Sequence, residues 1–181
     1  MEIKGSKTET NLYKTFAGES RARNKYNFYA EKAREEGLRW VGDIFDMTAE
    51  NEKAHARETF RRYLGLVKST PDNLEDAING EVAETKKIYK EFEDTAREEG
   101  FENIADFYKE LREVEEHHGE RFEKLLQMYN NDELFKNSKT GMFKCMNCGY
   151  IYEGEEAPAI CPLCKYPRAY FMPYVEEVWG E

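Results

Sequence analysis

Two Glu-x-x-His units, Glu52-x-x-His55 and Glu115-x-x-His118, stand 63 residues apart in this chain. On a helix, positions i and i+3 share a face, so each unit can offer a carboxylate and an imidazole to one ion. The chain has three histidines, all in or beside these units. Upstream, Ala33-Arg34-Glu35-Glu36-Gly37 returns as Ala96-Arg97-Glu98-Glu99-Gly100, again after 63 residues. Gly18-Glu19 returns as Gly80-Glu81 after 62, a slip of one. Two Glu-x-x-His units plus one Glu from each of two other helices make the ligand set of a carboxylate-bridged di-iron or di-manganese bundle. The candidates are Glu19, Glu52, His55, Glu81, Glu115 and His118.

One more carboxylate breaks the symmetry. Glu84 shares the face of Glu81, whereas its counterpart in the first half is Ala22. Tyr26 and Tyr89 match across the repeat on the ligand-bearing faces and are candidate donors to ligating carboxylates. A lone Glu-x-x-His on a helix is usually a solvated face, and Glu19 or Glu81 alone would read as a surface ion pair. Their neighbours Phe16, Tyr26, Val82 and Ile88 instead place them near an apolar stripe. Buried carboxylates without partners are costly, and two divalent ions nearly balance four or five of them. His117 stands one position off the ligand face.

A second constellation closes the chain. Cys145-x-x-Cys148 and Cys161-x-x-Cys164 are separated by twelve residues. Two such pairs make a tetrahedral four-sulfur site for iron or zinc, and spacing alone does not choose between them. Gly149 supplies a left-handed backbone position that lets amides point at sulfur. Lys165 occupies the matching place in the second knuckle, where a side chain costs on the order of 1 kcal/mol.

Helical periodicity positions the first constellation. Residues 8–36 present Leu12, Phe16, Ala22, Tyr26, Tyr29, Ala30 and Ala33 on one face. A second helix over 40–63 turns Ile44, Phe45, Ala49, Ala54 and Phe60 inward. Residues 65–73 form a break containing Pro71. A third helix over 74–97 presents Ala77, Ile78, Val82, Ile88, Tyr89 and Phe92. A fourth over 103–129 presents Ile104, Phe107, Leu111, Val114, Phe122 and Leu125. Gly37 and Gly100 stop the first and third helices. The repeat therefore predicts two helical hairpins, each with one Glu on its first helix and Glu-x-x-His on its second. The expected organisation is a helical bundle over 1–130, a polar linker over 131–141, and a small strand-and-turn domain over 142–181 with short aromatic-rich runs.

Composition narrows the function. A net charge of −10 argues against nucleic acid and against an anionic membrane surface. No apolar run approaches the ~18 residues that span a bilayer. No secretory signal is visible at the start. All four cysteines lie at metal-ligand spacing, leaving none for disulfides elsewhere, which fits a reducing cytoplasm.

These residues resemble the rubrerythrin family over nearly the whole chain. The resemblance rests on Phe16-Ala17-Gly18-Glu19-Ser20, Glu52-x-x-His55, Gly80-Glu81-x-x-Glu84, Glu115-x-x-His118 and the Cys145/Cys148/Cys161/Cys164 set. It implies a mainly α protein, a ferritin-like four-helix bundle followed by a rubredoxin-like domain. It implies three iron ions per chain, two in the bundle and one on the four cysteines, with zinc possible at either site. Glu52 and Glu115 would bridge the bundle irons, and Glu19, Glu81, Glu84 and His118 would be terminal ligands. His55 would replace Glu84 on one iron upon reduction. The implied activity is reduction of hydrogen peroxide to water in the cytoplasm, with electrons from NAD(P)H through a separate reductase or rubredoxin. A ferrous pair holds the two electrons that peroxide needs, and a four-sulfur iron relays them singly.

Two other readings compete. A ferroxidase or iron-storage protein would have no need of the fused electron inlet. A non-catalytic partner module with structural zinc would leave the bundle ligands unexplained. The connection between helices two and three adds an expectation about assembly. In such bundles these helices run parallel, so the chain must return about 30 Å along the bundle if helix two reaches Leu66 and helix three starts near Asp72. Residues 67–71 cover at most about 18 Å. The hairpins are therefore expected to be exchanged between two subunits of an obligate homodimer or higher assembly.

Overall fold

The computed structural model describes residues 3–136, 139 and 141–174. The chain divides into two compact units, Met1–Ser69 and Thr70–Glu181. The division falls between the two copies of the repeat. Each copy is an antiparallel helical hairpin.

In the first unit, α1 (Lys7–Glu35) packs along α2 (Arg39–Arg57). Ser6 caps α1 by accepting from the Glu9 amide at 3.0 Å, satisfying a donor the helix leaves free. A π turn, π1 (Glu58–Tyr63), continues α2. In the second unit, α3 (Thr70–Ala83) runs through a second π turn, π2 (Glu84–Ile88), into α4 (Tyr89–Glu98). The antiparallel partner of α3 and α4 is α5 (Glu102–Asn130). Pro71 lies inside the first turn of α3, where its missing N–H costs nothing. The predicted break over 65–73 therefore shrinks to 64–69, and helix two ends at Tyr63 as its periodicity predicts, so the return starts there and not at Leu66.

Both hairpins turn the same way. Leu38 and Phe101 donate backbone N–H to the carbonyls of Ala33 and Ala96, each at 2.8 Å. Gly37 and Gly100 sit between them at φ +77° and +81°, the left-handed pair that closes a helix with its last carbonyls satisfied. Arg34 then clasps Asp43, and Arg97 clasps Asp106 at 3.0 Å, across the two turns.

The buried residues differ from the expected apolar stripes. Ala30, Ala33, Ala49, Ala96 and Ala105 are buried as a close-approach seam. Tyr29, Ile44, Val82, Ile88, Phe92, Ile104, Phe107, Val114 and Leu125, all expected inward, are exposed in the chain. The reason is geometric. Two helices share only one line of contact, and small side chains occupy it. The larger side chains flank that line and need further helices to cover them.

The cysteine-bearing segment is a three-stranded antiparallel sheet in the order β2-β1-β3. Its strands are β1 (Met142–Cys145), β2 (Ile151–Glu153) and β3 (Phe171–Pro173). Phe143, Cys145, Ala157, Cys161 and Phe171 form its core. Phe135 packs on that core and accepts from the Ala157 amide at 2.8 Å, so part of the polar segment read as linker is built into this module. Residues 175–181, read as its end, lie outside the described residues.

Candidate metal centres

On the first hairpin, Glu19 of α1 faces Glu52 and His55 of α2. One ligand atom from each lies within 4.8 Å of the others. His55 Nδ1 is 2.9 Å from Glu52 and 3.7 Å from Glu19. The proximity of Glu52, through a shared hydrogen bond, raises the Glu19 carboxyl above its ordinary range. Burial and the Glu52 charge add to this, and His55 works against it. Two carboxylates pressed together beside an imidazole are short of positive charge.

The second hairpin repeats the arrangement. Glu81, Glu115 and His118 converge in the same way. His118 Nδ1 is 2.7 Å from Glu115 and 3.9 Å from Glu81. Burial raises the Glu81 carboxyl, the Glu115 charge raises it further, and His118 opposes both. Gly119 follows His118 and is buried, and a Cβ there would lie 3.5 Å from the Glu81 side chain. The two half-sets match to within 0.2 Å in both imidazole–carboxylate distances, which is the expectation for copies of one device.

Glu84 lies on π2 beside this second set. The Tyr89 phenol lies near enough to Glu84 to feel its charge. Burial first, and then the charges of Glu84 and Glu115, push that phenol above its ordinary range, so it holds its proton and can donate it to the carboxylate. Tyr26, its counterpart, packs its ring 6.2 Å from Phe45 and 6.3 Å from Tyr29. His117 is 74% exposed and pairs with Glu120, as its position off the ligand face predicts.

The four cysteine sulfurs also lie within 4.8 Å of one another. Cys145–Cys164 and Cys148–Cys161 are both 3.7 Å apart. A tetrahedron with metal–sulfur bonds of about 2.3 Å has sulfur–sulfur edges of about 3.8 Å, so the cradle fits one such ion. The knuckles are duplicates. Gly149 and Lys165 donate to the carbonyls of Cys145 and Cys161 at 2.8 and 3.0 Å. Cys145 and Cys161 donate to Tyr150 and Tyr166, each at 2.8 Å. Lys165 adopts the left-handed conformation at φ +64°, against +77° for Gly149. Its Nζ donates to the Pro162 carbonyl at 2.7 Å, so the side chain that strains the knuckle also ties it.

Arg112 and Glu93 lie outside the apolar pattern of their helices. Arg112 Nη1 donates to Glu93 at 2.8 Å, and its Nε donates at 2.8 Å to the carbonyl of Thr85, inside π2. Glu93 is 8% exposed and also accepts from Arg97 at 3.3 Å. Burial alone would raise the Glu93 carboxyl, but the two guanidiniums outweigh it and hold it below its ordinary range.

Comparison with known proteins agrees with these centres. The family model described as "Rubrerythrin" matches residues 10–126, and "Rubrerythrin, rubredoxin-like domain" matches residues 143–172. Rubrerythrin-1 of Clostridium acetobutylicum is 38% identical, covering 93% of this chain and 95% of its own. The rubrerythrin of Porphyromonas gingivalis is 39% identical over 94% and 92% of the two chains. That of Nitratidesulfovibrio vulgaris is 36% identical over 93% and 95%.

Proposed function

The chain belongs to the rubrerythrin family of di-iron oxidoreductases, and from that premise we propose that it reduces hydrogen peroxide to water. The observation that carries the reading is the pairing of two matched Glu/Glu/His half-sets with a four-sulfur cradle in one chain. Glu19, Glu52, His55, Glu81, Glu84, Glu115 and His118 would hold the iron pair, and Cys145, Cys148, Cys161 and Cys164 a third iron. A ferrous pair bound there would supply the two electrons of the reduction, peroxide with two protons giving two waters. The chain's own groups do the rest. The carboxylates would fix charge at partly buried positions, and the Tyr89 phenol would brace Glu84. Electrons would come one at a time through the cysteine site from an NAD(P)H-linked reductase or a rubredoxin in the cytoplasm. Among the described residues no helix is long and apolar enough to cross a membrane.

The site would be shared by two subunits. From His55 to Tyr63 is about 12 Å of helix, and from Thr70 to Glu81 about 16 Å. The seven steps from Tyr63 to Thr70 extend at most about 25 Å, short of the roughly 28 Å return. A partner's hairpin would supply the missing half-set and cover the exposed apolar side chains.

Cys161→Ser separates the two centres. Turnover with a reductase should collapse. Chemically reduced variant should still consume about one peroxide per iron pair, as the two-electron balance requires. Failure of the reduced wild type to consume peroxide, or continued uptake of iron as a mineral, overturns the reading in favour of storage.

A further inference from the structure

The one-residue slip in the repeat has a structural counterpart. From Glu19 to Tyr26 is seven positions, and from Glu81 to Tyr89 it is eight. The extra residue is absorbed in π2. The Tyr89 amide reaches back five residues to the Glu84 carbonyl, not four to that of Thr85. A π turn of this kind admits one residue while keeping the helix faces before and after it in phase. Glu81 and Tyr89 thus stay on the metal-facing side, and Glu84 gains a place that Ala22 has not.

The turn displaces the Thr85 carbonyl from the Tyr89 amide. That carbonyl is instead met by Arg112 Nε from α5. Arg112 is itself seated on Glu93, and its side chain is 27% exposed. The corresponding positions of the first hairpin, 63 residues earlier, are Ala49 and Ala30, both fully buried, on helices that form no π turn between Glu19 and Tyr26. Insertion, arginine and counter-ion therefore occur together in the second hairpin and are replaced together in the first. A guanidinium partly buried beside a helix needs both an anion and an acceptor, and this one has them.

We propose that Arg112, seated on Glu93, is the positioning residue that holds the π turn at Glu84–Ile88 and so fixes the aim of Glu84. The inference rests on the reading of Glu84 as an iron ligand. It assigns no chemistry to Arg112 itself.

The test is the double variant Glu93→Ala/Arg112→Ala in the iron-loaded full chain. It reproduces the alanine pair of the first hairpin, so the helices retain a packing the protein already uses. Hydrogen exchange of amides 84–90 should quicken at least tenfold, with those of α1 unchanged. The Mössbauer quadrupole splitting of the bundle iron should move toward that of Glu84→Ala, while the four-sulfur iron keeps its own. Glu93→Asp should restore most of both signals. Unchanged exchange at 84–90 overturns the proposal. So does faster exchange with a wild-type iron spectrum, because Arg112 would then brace the helix without aiming Glu84. If Glu84→Ala itself leaves the spectrum unchanged, the ligand reading fails first and takes the positioning role with it.

Discussion

Individual residues carry the asymmetry of both centres. Glu84 is the carboxylate without a counterpart, so Glu84→Ala would leave the six other proposed ligands in two equal half-sets. Iron content of the bundle should stay near two, while peroxide reduction slows relative to reaction with oxygen. Parallel stopped-flow measurements with the two oxidants check this, and an unchanged ratio refutes it. In the cysteine module, Lys165 tolerates a left-handed backbone by bonding the Pro162 carbonyl. A β-branched side chain fits that conformation poorly. Lys165→Val should cost about 1–2 kcal/mol and speed iron loss to a chelator, while Lys165→Gly should match the wild type. The residues of both Glu/Glu/His clusters and the four clustered cysteines were legible in the sequence, since ligand chemistry restricts both type and spacing. Arg112 and Glu93 were not, because a half-buried ion pair between charged helices looks like any solvated pair until both helices are in place.

Elements explain what periodicity left out. The helices were readable to within a few residues, and Gly37 and Gly100 marked their stops. The π turn was recorded in the sequence only as the one-residue slip between the copies. No rule for an uninterrupted α-helix converts that slip into a local change of pitch. The pair that supports the turn has a pH signature. Glu93 titrates below its ordinary value in the folded chain, so its contribution is complete above the unfolded value of about 4.5 and is lost as pH falls through the folded value. Glu93→Gln should therefore lower stability by about 2 kcal/mol at neutral pH. The difference should persist down to about pH 5 and shrink below 4.5. Urea titrations of both proteins across that range measure it, and a gap that widens on acidification contradicts the assignment.

The molecule as a whole is two copies of a hairpin and a cysteine module on one chain. Its hairpins bury alanine seams and leave larger side chains uncovered within the chain. Sequence periodicity marked those side chains as inward because it reports which face is apolar, not what covers it. Exchange of hairpins predicts complementation. A Glu52→Ala chain retains an intact second half-set, and a Glu115→Ala chain an intact first. Refolded together, they should regain activity at about a quarter of the sites, because half the random pairs are mixed and each mixed pair rebuilds one site of two. If each chain completes its own site, mixing restores nothing.

The matched half-sets differ in one respect once Glu84 is counted. The first offers two carboxylates and the second three, each with one imidazole. An incoming dication is attracted by the extra negative charge in a partly screened site. The two ions should therefore enter in order, the place that Glu84 serves filling first. At limiting metal the protein would pass through a singly loaded form, ready to take a different ion in the remaining place.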